Sequence, residues 1–291
     1  MGTDSHTWAT HAHKQTADLQ ALEQQATHTA TAPLAAAIAA AQRAATTQWL
    51  TITSAVRTAP GADAIRRLLQ RIRELLAGAF RGQGAHAQQA IQEAALAAVQ
   101  FGAAQAARIG TLIGGSPPPT SPVLEPGPQA QAVTEGVTKA IDNEHHAALA
   151  LLTTAAITAG GLAGVTAVFR RARRAVARVA NAAAVAVTSA AAAGAAAVAR
   201  AFGPHMLLLW VAEVDACPAC RAYAGRTTRP GKPFPGGLTL DPRTVFPSPI
   251  VGPPRHPHCR CVVIPWRSDW QTGGTPLPLL LRQRAQTARR I

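Results

Sequence analysis

Sixty of the 67 alanines in this chain lie in its first 201 residues, whereas 14 of its 22 prolines lie after residue 202. Alanine has the highest helix propensity because it has no side-chain rotamers to lose. It also brings little apolar surface to a core. The front two thirds is therefore predicted to be helices packed closely around a thin core. With only 12 aromatics among 291 residues, a β-sandwich or barrel is excluded, since strands favour aromatic and β-branched residues. The proline-rich remainder reads as turns, loops and short strands.

Within that division the sequence suggests five segments: a helical region at 1–115, a proline-rich linker at 116–128, an alanine-rich helical region at 129–201, a cysteine/histidine module at 202–267 and a basic tail at 268–291. The clearest helix follows Pro60-Gly61, with Asp63 as its expected N-cap. Ile65, Leu68, Leu69, Ile72, Leu75, Leu76 and Ala79 recur at three- and four-residue steps and form one apolar face. Asp142-Asn143-Glu144-His145-His146 reads as a solvated stretch of a later helix, because adjacent histidines point about 100° apart and cannot share an ion.

The chain carries 28 Lys+Arg against 14 Asp+Glu, a net charge of +14. Nearly all the cations are arginine, the side chain whose fork matches phosphate. Such a field attracts a polyanion or an acidic protein. Arg170, Arg171, Arg174 and Arg178 fall within about 100° of one another on an ideal helix and Arg173 just outside that arc, with no acidic residue between 145 and 212. Together with Arg282, Arg284, Arg289 and Arg290 they are the expected contacts to double-stranded DNA, bound without sequence preference, or to a partner protein. The N-terminus shows neither the basic nor the apolar part of a signal peptide. Residues 147–169 and 179–199 are uncharged and long enough to span a bilayer. Their content of Ala, Thr and Gly is weakly apolar, so soluble packed helices are expected and no membrane partner.

All four cysteines lie between 217 and 261. Cys217-Pro218-Ala219-Cys220 places two thiolates on one tight turn, behind a buried strand read at 205–215. His256-Pro257-His258-Cys259-Arg260-Cys261 follows, and opens a second strand at 262–266. Soft sulfur and imidazole donors in two clusters fit a closed structural zinc site. Cys217, Cys220, His256 and Cys259 are the favoured ligands, Cys261 competes for the fourth place, and His258 is a sixth candidate. A zinc ion joining the ends of the turn-rich insert would supply stability that the insert cannot gain by burial. A catalytic ion would need an open position and a general base, and the insert offers only Asp241 as a carboxylate. The expected fold class is thus mainly α, with an alanine-rich helical N-terminal region and a small zinc-stabilised α+β module at the C-terminus.

At these residues the chain resembles a known family. Trp210, the run Asp215-Ala216-Cys217-Pro218-Ala219-Cys220, then Gly236-Gly237, then Pro253-Pro254-Arg255-His256-Pro257-His258-Cys259-Arg260-Cys261 look like the C-terminal signature of phage head morphogenesis proteins. These are minor capsid proteins similar to the F protein of phage Mu, and His258 stands where that pattern usually has Asn. The resemblance covers about 60 of the 291 residues. It implies a minor virion component, made in the bacterial host cytoplasm, which joins the procapsid near the portal protein and other capsid components; the absence of a catalytic motif leads us to expect no enzyme. No small-molecule substrate is expected. Two other readings have a different basis. A zinc-containing nuclease fits a Cys/His site on a basic protein, although no His-carboxylate catalytic set can be assembled from the sequence. A membrane-active effector would use residues 147–199.

Overall fold

The computed structural model describes residues 4–54, 60–114, 116–270 and 273–287. Six helices precede a small sheet: α1 (Ser5–Ser54), α2 (Ala62–Phe80), α3 (Gln83–Gly114), α4 (Pro128–Ala150), α5 (Thr154–Ala172) and α6 (Arg174–Ala201). Then come β1 (Leu207–Val211), the single-turn α7 (Pro218–Arg221), β2 (Thr227–Thr228), β3 (Val262–Trp266) and α8 (Leu277–Thr287). The protein is mainly helical with a three-stranded antiparallel sheet, as the composition implies.

The chain forms two compact units, one made of Met1–Ala26, Ile91–Val133 and Ala183–Ile291, the other of Thr27–Ala90 and Thr134–Ala182. The boundaries fall inside α1, α3, α4 and α6, so the units interleave along the chain. The sequential segments expected from composition divide it differently.

In the second unit α2 buries Ile65, Leu68, Leu69, Ile72, Leu76 and Ala79, nearly the whole face that the periodicity marks, and Leu75 is half-buried. Its N-cap is Gly61 rather than Asp63, which lies in the first turn and pairs with Arg66 at 2.9 Å. The acid thus faces the positive end of the helix dipole without capping it. Helix α1 continues through Pro33. Proline lacks the N–H that would bond the carbonyl four residues earlier. That carbonyl, Thr29 O, lies 3.3 Å from His86 Nε2, which donates to it instead. Helix α5 starts at an N-cap, Thr153, whose hydroxyl accepts from Ala156 N at 3.1 Å. It bends at Gly161, where φ is 53°.

In the first unit α3 and α6 cross at two glycines. A Cβ on Gly102 would stand 1.9 Å from Ala191 O, and one on Gly194 would stand 2.0 Å from Val99 O. The alanine-rich faces on either side of this crossing are buried, including Ala98, Ala103, Ala190 and Ala195. A thin core is compensated by close approach of backbones. Behind it, β1 pairs with β2 on one side and β3 on the other, with Leu209 opposite Ile264. The core here contains Trp210, Tyr223 and Phe234, with ring centroids 5.0 and 5.1 Å from Trp210. The stretch after 267 is not merely a tail, because α8 buries Leu277, Leu280 and Leu281.

The segment Thr154–Ala201 is long and apolar enough to cross a membrane, and 72 % of its most apolar window is buried inside the protein. The core helix of a soluble protein has the same properties. Fractionation of expressing cells should therefore leave the membrane fraction free of the protein. Carbonate-resistant membrane association would overturn that expectation.

Candidate metal centre

Cys217 is the N-cap of α7, with Pro218 at the first helical position, where a missing N–H costs nothing. Its Sγ accepts from Cys220 N at 3.5 Å, so the turn itself aims both sulfurs to one side. The second cluster follows the turn-rich insert. That insert is held by paired bonds between Phe234 and Ile250, at 2.7 and 3.1 Å, and it contributes Phe234 to the core. His256 begins a turn closed by Cys259 N donating to His256 O at 3.1 Å. Cys261 then leads into β3.

The two clusters meet. Cys217 Sγ lies 3.1 Å and Cys220 Sγ 3.4 Å from His256 Nε2, and Cys220 Sγ lies 3.5 Å from Cys259 Sγ. The donors fall into two triads, Cys217–Cys220–His256 and Cys220–Cys259–Cys261, each with its ligand atoms within 4.8 Å of one another. All four cysteines are free thiols. A tetrahedral ion held at ~2.3 Å by sulfur and ~2.0 Å by nitrogen puts its ligand atoms ~3.5 to 3.8 Å apart. The Cys220–His256 and Cys220–Cys259 separations come close to that and the Cys217–His256 separation is shorter, and the cluster can hold a metal ion. His256 Nδ1 donates to Pro257 O at 2.8 Å, which fixes the tautomer and leaves Nε2 facing the sulfurs. Phe246 stacks on the same ring at 5.7 Å. The Arg255 guanidinium lies over Phe246 and Tyr223, at 5.4 and 5.2 Å from their centroids.

His258, the sixth candidate, belongs to neither triad. Its backbone is left-handed (φ 61°), a region where Asn, Asp and His are enriched among non-glycine residues. Its Nδ1 lies 2.7 Å from Oε1 of Glu23, a buried carboxylate on α1. On the other side of Cys259, Arg260 binds Glu213 at 2.5 Å.

In the metal-free protein, hydrogen bonding from Cys220 brings the Cys217 thiol down to about 4, and the bond to Cys217 raises His256 to about 9. The resulting thiolate–imidazolium pair favours this arrangement across neutral pH, a contribution smaller than that of a bound metal. The His256 contribution is lost as pH rises through about 9, and the Cys217 contribution as pH falls through about 4. Coordination needs a bare Nε2 and thiolates, so metal binding expels protons and weakens as pH falls. Adding metal to the metal-free protein in weak buffer near pH 7 should therefore acidify the solution. No proton release would mean that these groups are not the ligands.

The expected basic surface is partly engaged within the protein. Glu144 on α4 is buried and pairs with Arg171 at 2.8 Å and Arg178 at 3.3 Å, so the ridge is compensated where the sequence offered no acid between 145 and 212. Glu144 is accordingly not part of a solvated stretch. Neither is His145, whose ring stacks on Phe80 at 4.6 Å and whose pKa is lowered by burial. Arg173 donates to Gln42 Oε1. Arg170 and Arg174 are exposed. On α8, Arg282 donates to Gly225 O at 3.2 Å, and Arg284 lies 3.1 Å from His6 Nδ1. Arg289 and Arg290 lie outside the described residues. No family model, curated protein or solved structure matches the chain.

Proposed function

We propose that the protein is a head morphogenesis or minor capsid protein of a phage or prophage, with a C-terminal module organised by one structural zinc ion. The observation that carries this reading is the meeting of Cys217-Pro218-Ala219-Cys220 with His256 and Cys259, which unites in space the two motifs of the head morphogenesis signature. The left-handed backbone at His258 supports it too. Asn, usual at that place in the family, suits the same conformation.

Zinc is favoured over harder cations because the donors are sulfur and imidazole. Cys217, Cys220, His256 and Cys259 are the proposed ligands, with Cys261 behind them. The bound ion would link the ends of the insert, a structural role, and the protein would not be an enzyme. The module would present the insert as a rigid surface to the portal protein or another capsid component inside the procapsid.

The test starts from the neighbouring genes, where portal and major capsid genes are expected, and continues with co-expression of their products with this protein. The protein should sediment with assembled particles in a few copies each. Particles that form normally and exclude it would refute the assignment.

Contact with DNA would fall first to Arg170 and Arg174, since Arg173 and Arg178, also exposed, already engage Gln42 and Glu144, and it would be to phosphates. Each phosphate neutralised adds about −0.9 to the log–log salt slope. Changing both residues to Ala should therefore reduce the slope magnitude by about 2 and weaken all sequences alike. Arg171→Ala should behave differently, destabilising the fold by leaving Glu144 short of a partner. If the double variant binds DNA normally but fails to enter procapsids, the ridge contacts protein instead.

A further inference from the structure

The metal cluster has five donors for an ion that takes four. They are arranged as two threes that share Cys220. A tetrahedral divalent ion must leave one donor unused. Two three-coordinate ions would use all five, with the Cys220 sulfur bridging. A trigonal ion held at ~2.3 Å by sulfur spaces its donors ~4.0 Å apart, so the donors now 3.1, 3.4 and 3.5 Å apart would open slightly, within the 4.8 Å that bounds each triad. Three-coordinate thiolate sites suit soft d¹⁰ cations, cuprous ion foremost. Burial agrees with this. Cys220, Cys259 and Cys261 are each at most 2 % exposed, so the inner triad excludes the water that a harder ion would need. Cys217 is only half-buried, which gives the outer triad a route to solvent.

We propose that the cluster is also a two-ion pocket for monovalent soft metal, with one cuprous ion on Cys217, Cys220 and His256 and a second on Cys220, Cys259 and Cys261. This rests on the same residues as the zinc reading but requires Cys261 as a ligand, which zinc does not. Cuprous ion entering the pocket would displace zinc and draw in the fifth sulfur, converting a structural site into a copper-loaded one by side-chain shifts of less than about 1 Å.

The test uses the full chain as purified. It is titrated anaerobically with cuprous ion supplied as its acetonitrile complex, while a chromogenic chelator reports released zinc. The expected result is about one zinc released and about two coppers retained per chain after gel filtration. Cys261→Ser should still carry about one zinc but retain about one copper. A single copper in the wild type, or two in Cys261→Ser, overturns the proposal. X-ray absorption at the copper edge of the wild type tests the same arrangement even if that variant does not fold. A short copper–copper vector with sulfur-dominated three-coordination is expected, and its absence overturns the proposal. Purified protein without zinc would instead count against the zinc reading, and the copper count would still decide this one.

Discussion

Cys217→Ser should abolish metal binding and disorder the region around residues 205–266, while the helical signal of the protein stays largely intact. Zinc content should fall from about one per chain to near zero, because the spare donor, Cys261, is not grouped with His256 and would have to move to complete a closed site. Binding free energies of about 10–16 kcal/mol for structural zinc in small peptides set the scale of what the module would lose. What remains without metal is a five-residue β1 and β3, a two-residue β2 and an aromatic trio of Trp210, Tyr223 and Phe234, against an insert made mostly of turns. Near-ultraviolet circular dichroism and tryptophan emission would report the change, since Trp210 is fully buried and Trp266 packs edge-on against Trp270 at 6.1 Å. Far-ultraviolet ellipticity should move little, because α1 to α6 hold most of the helix. A metal-free wild type with an unchanged aromatic spectrum would refute the structural role.

Gly194→Ala and Gly102→Ala should each destabilise the first unit by about 3 kcal/mol or more, at or beyond the upper end of ordinary overpacking. The added methyl would meet backbone carbonyls, of Val99 and Ala191 respectively, at 2.0 and 1.9 Å. A carbonyl cannot rotate aside as a side chain can, so the helices must separate and the alanines flanking the crossing would lose their contacts. Gly136→Ala is the internal control. That position is on α4, has nothing within 4 Å of the added Cβ, and should gain up to about 1 kcal/mol from helix propensity. Thermal or urea unfolding of the three variants measures the contrast. Equal effects at 136 and 194 would mean that the crossing is not close-packed.

The metal centre was largely legible because its information is local. Cys217 and Cys220 are three residues apart, and the second cluster is one continuous run, so spacing alone brings the sulfurs within reach of one ion. The apolar face of α2 was legible for the same reason. What the sequence did not reveal are partners distant along the chain. Glu23 is 235 residues from the histidine it binds. Glu144 sits in a polar run that looks solvated, and only the packing of α4 brings it to Arg171 and Arg178. The glycine crossing was hidden as well. Gly102 and Gly194 resemble any other small residues in an alanine-rich stretch, and their importance comes from the other helix. Sequential segments also suggested sequential units, whereas the long helices carry the chain from one unit to the other more than once.

The pairing of Ser5 with Gly273 has a consequence for how the protein is made. Ser5 N and Oγ both donate to Gly273 O, at 3.0 and 2.9 Å. The start of α1 thus finds its partner 268 residues later. On a ribosome adding roughly 5–20 residues per second, that delay is roughly a quarter of a minute to a minute. During it the start of α1 lacks this contact, although Trp8 and Leu19 already have α3 residues such as Gln105 beside them. The unit containing the metal cluster therefore cannot close cotranslationally. The first residues of its N-terminal helix are the stretch that waits for a partner until synthesis is nearly complete.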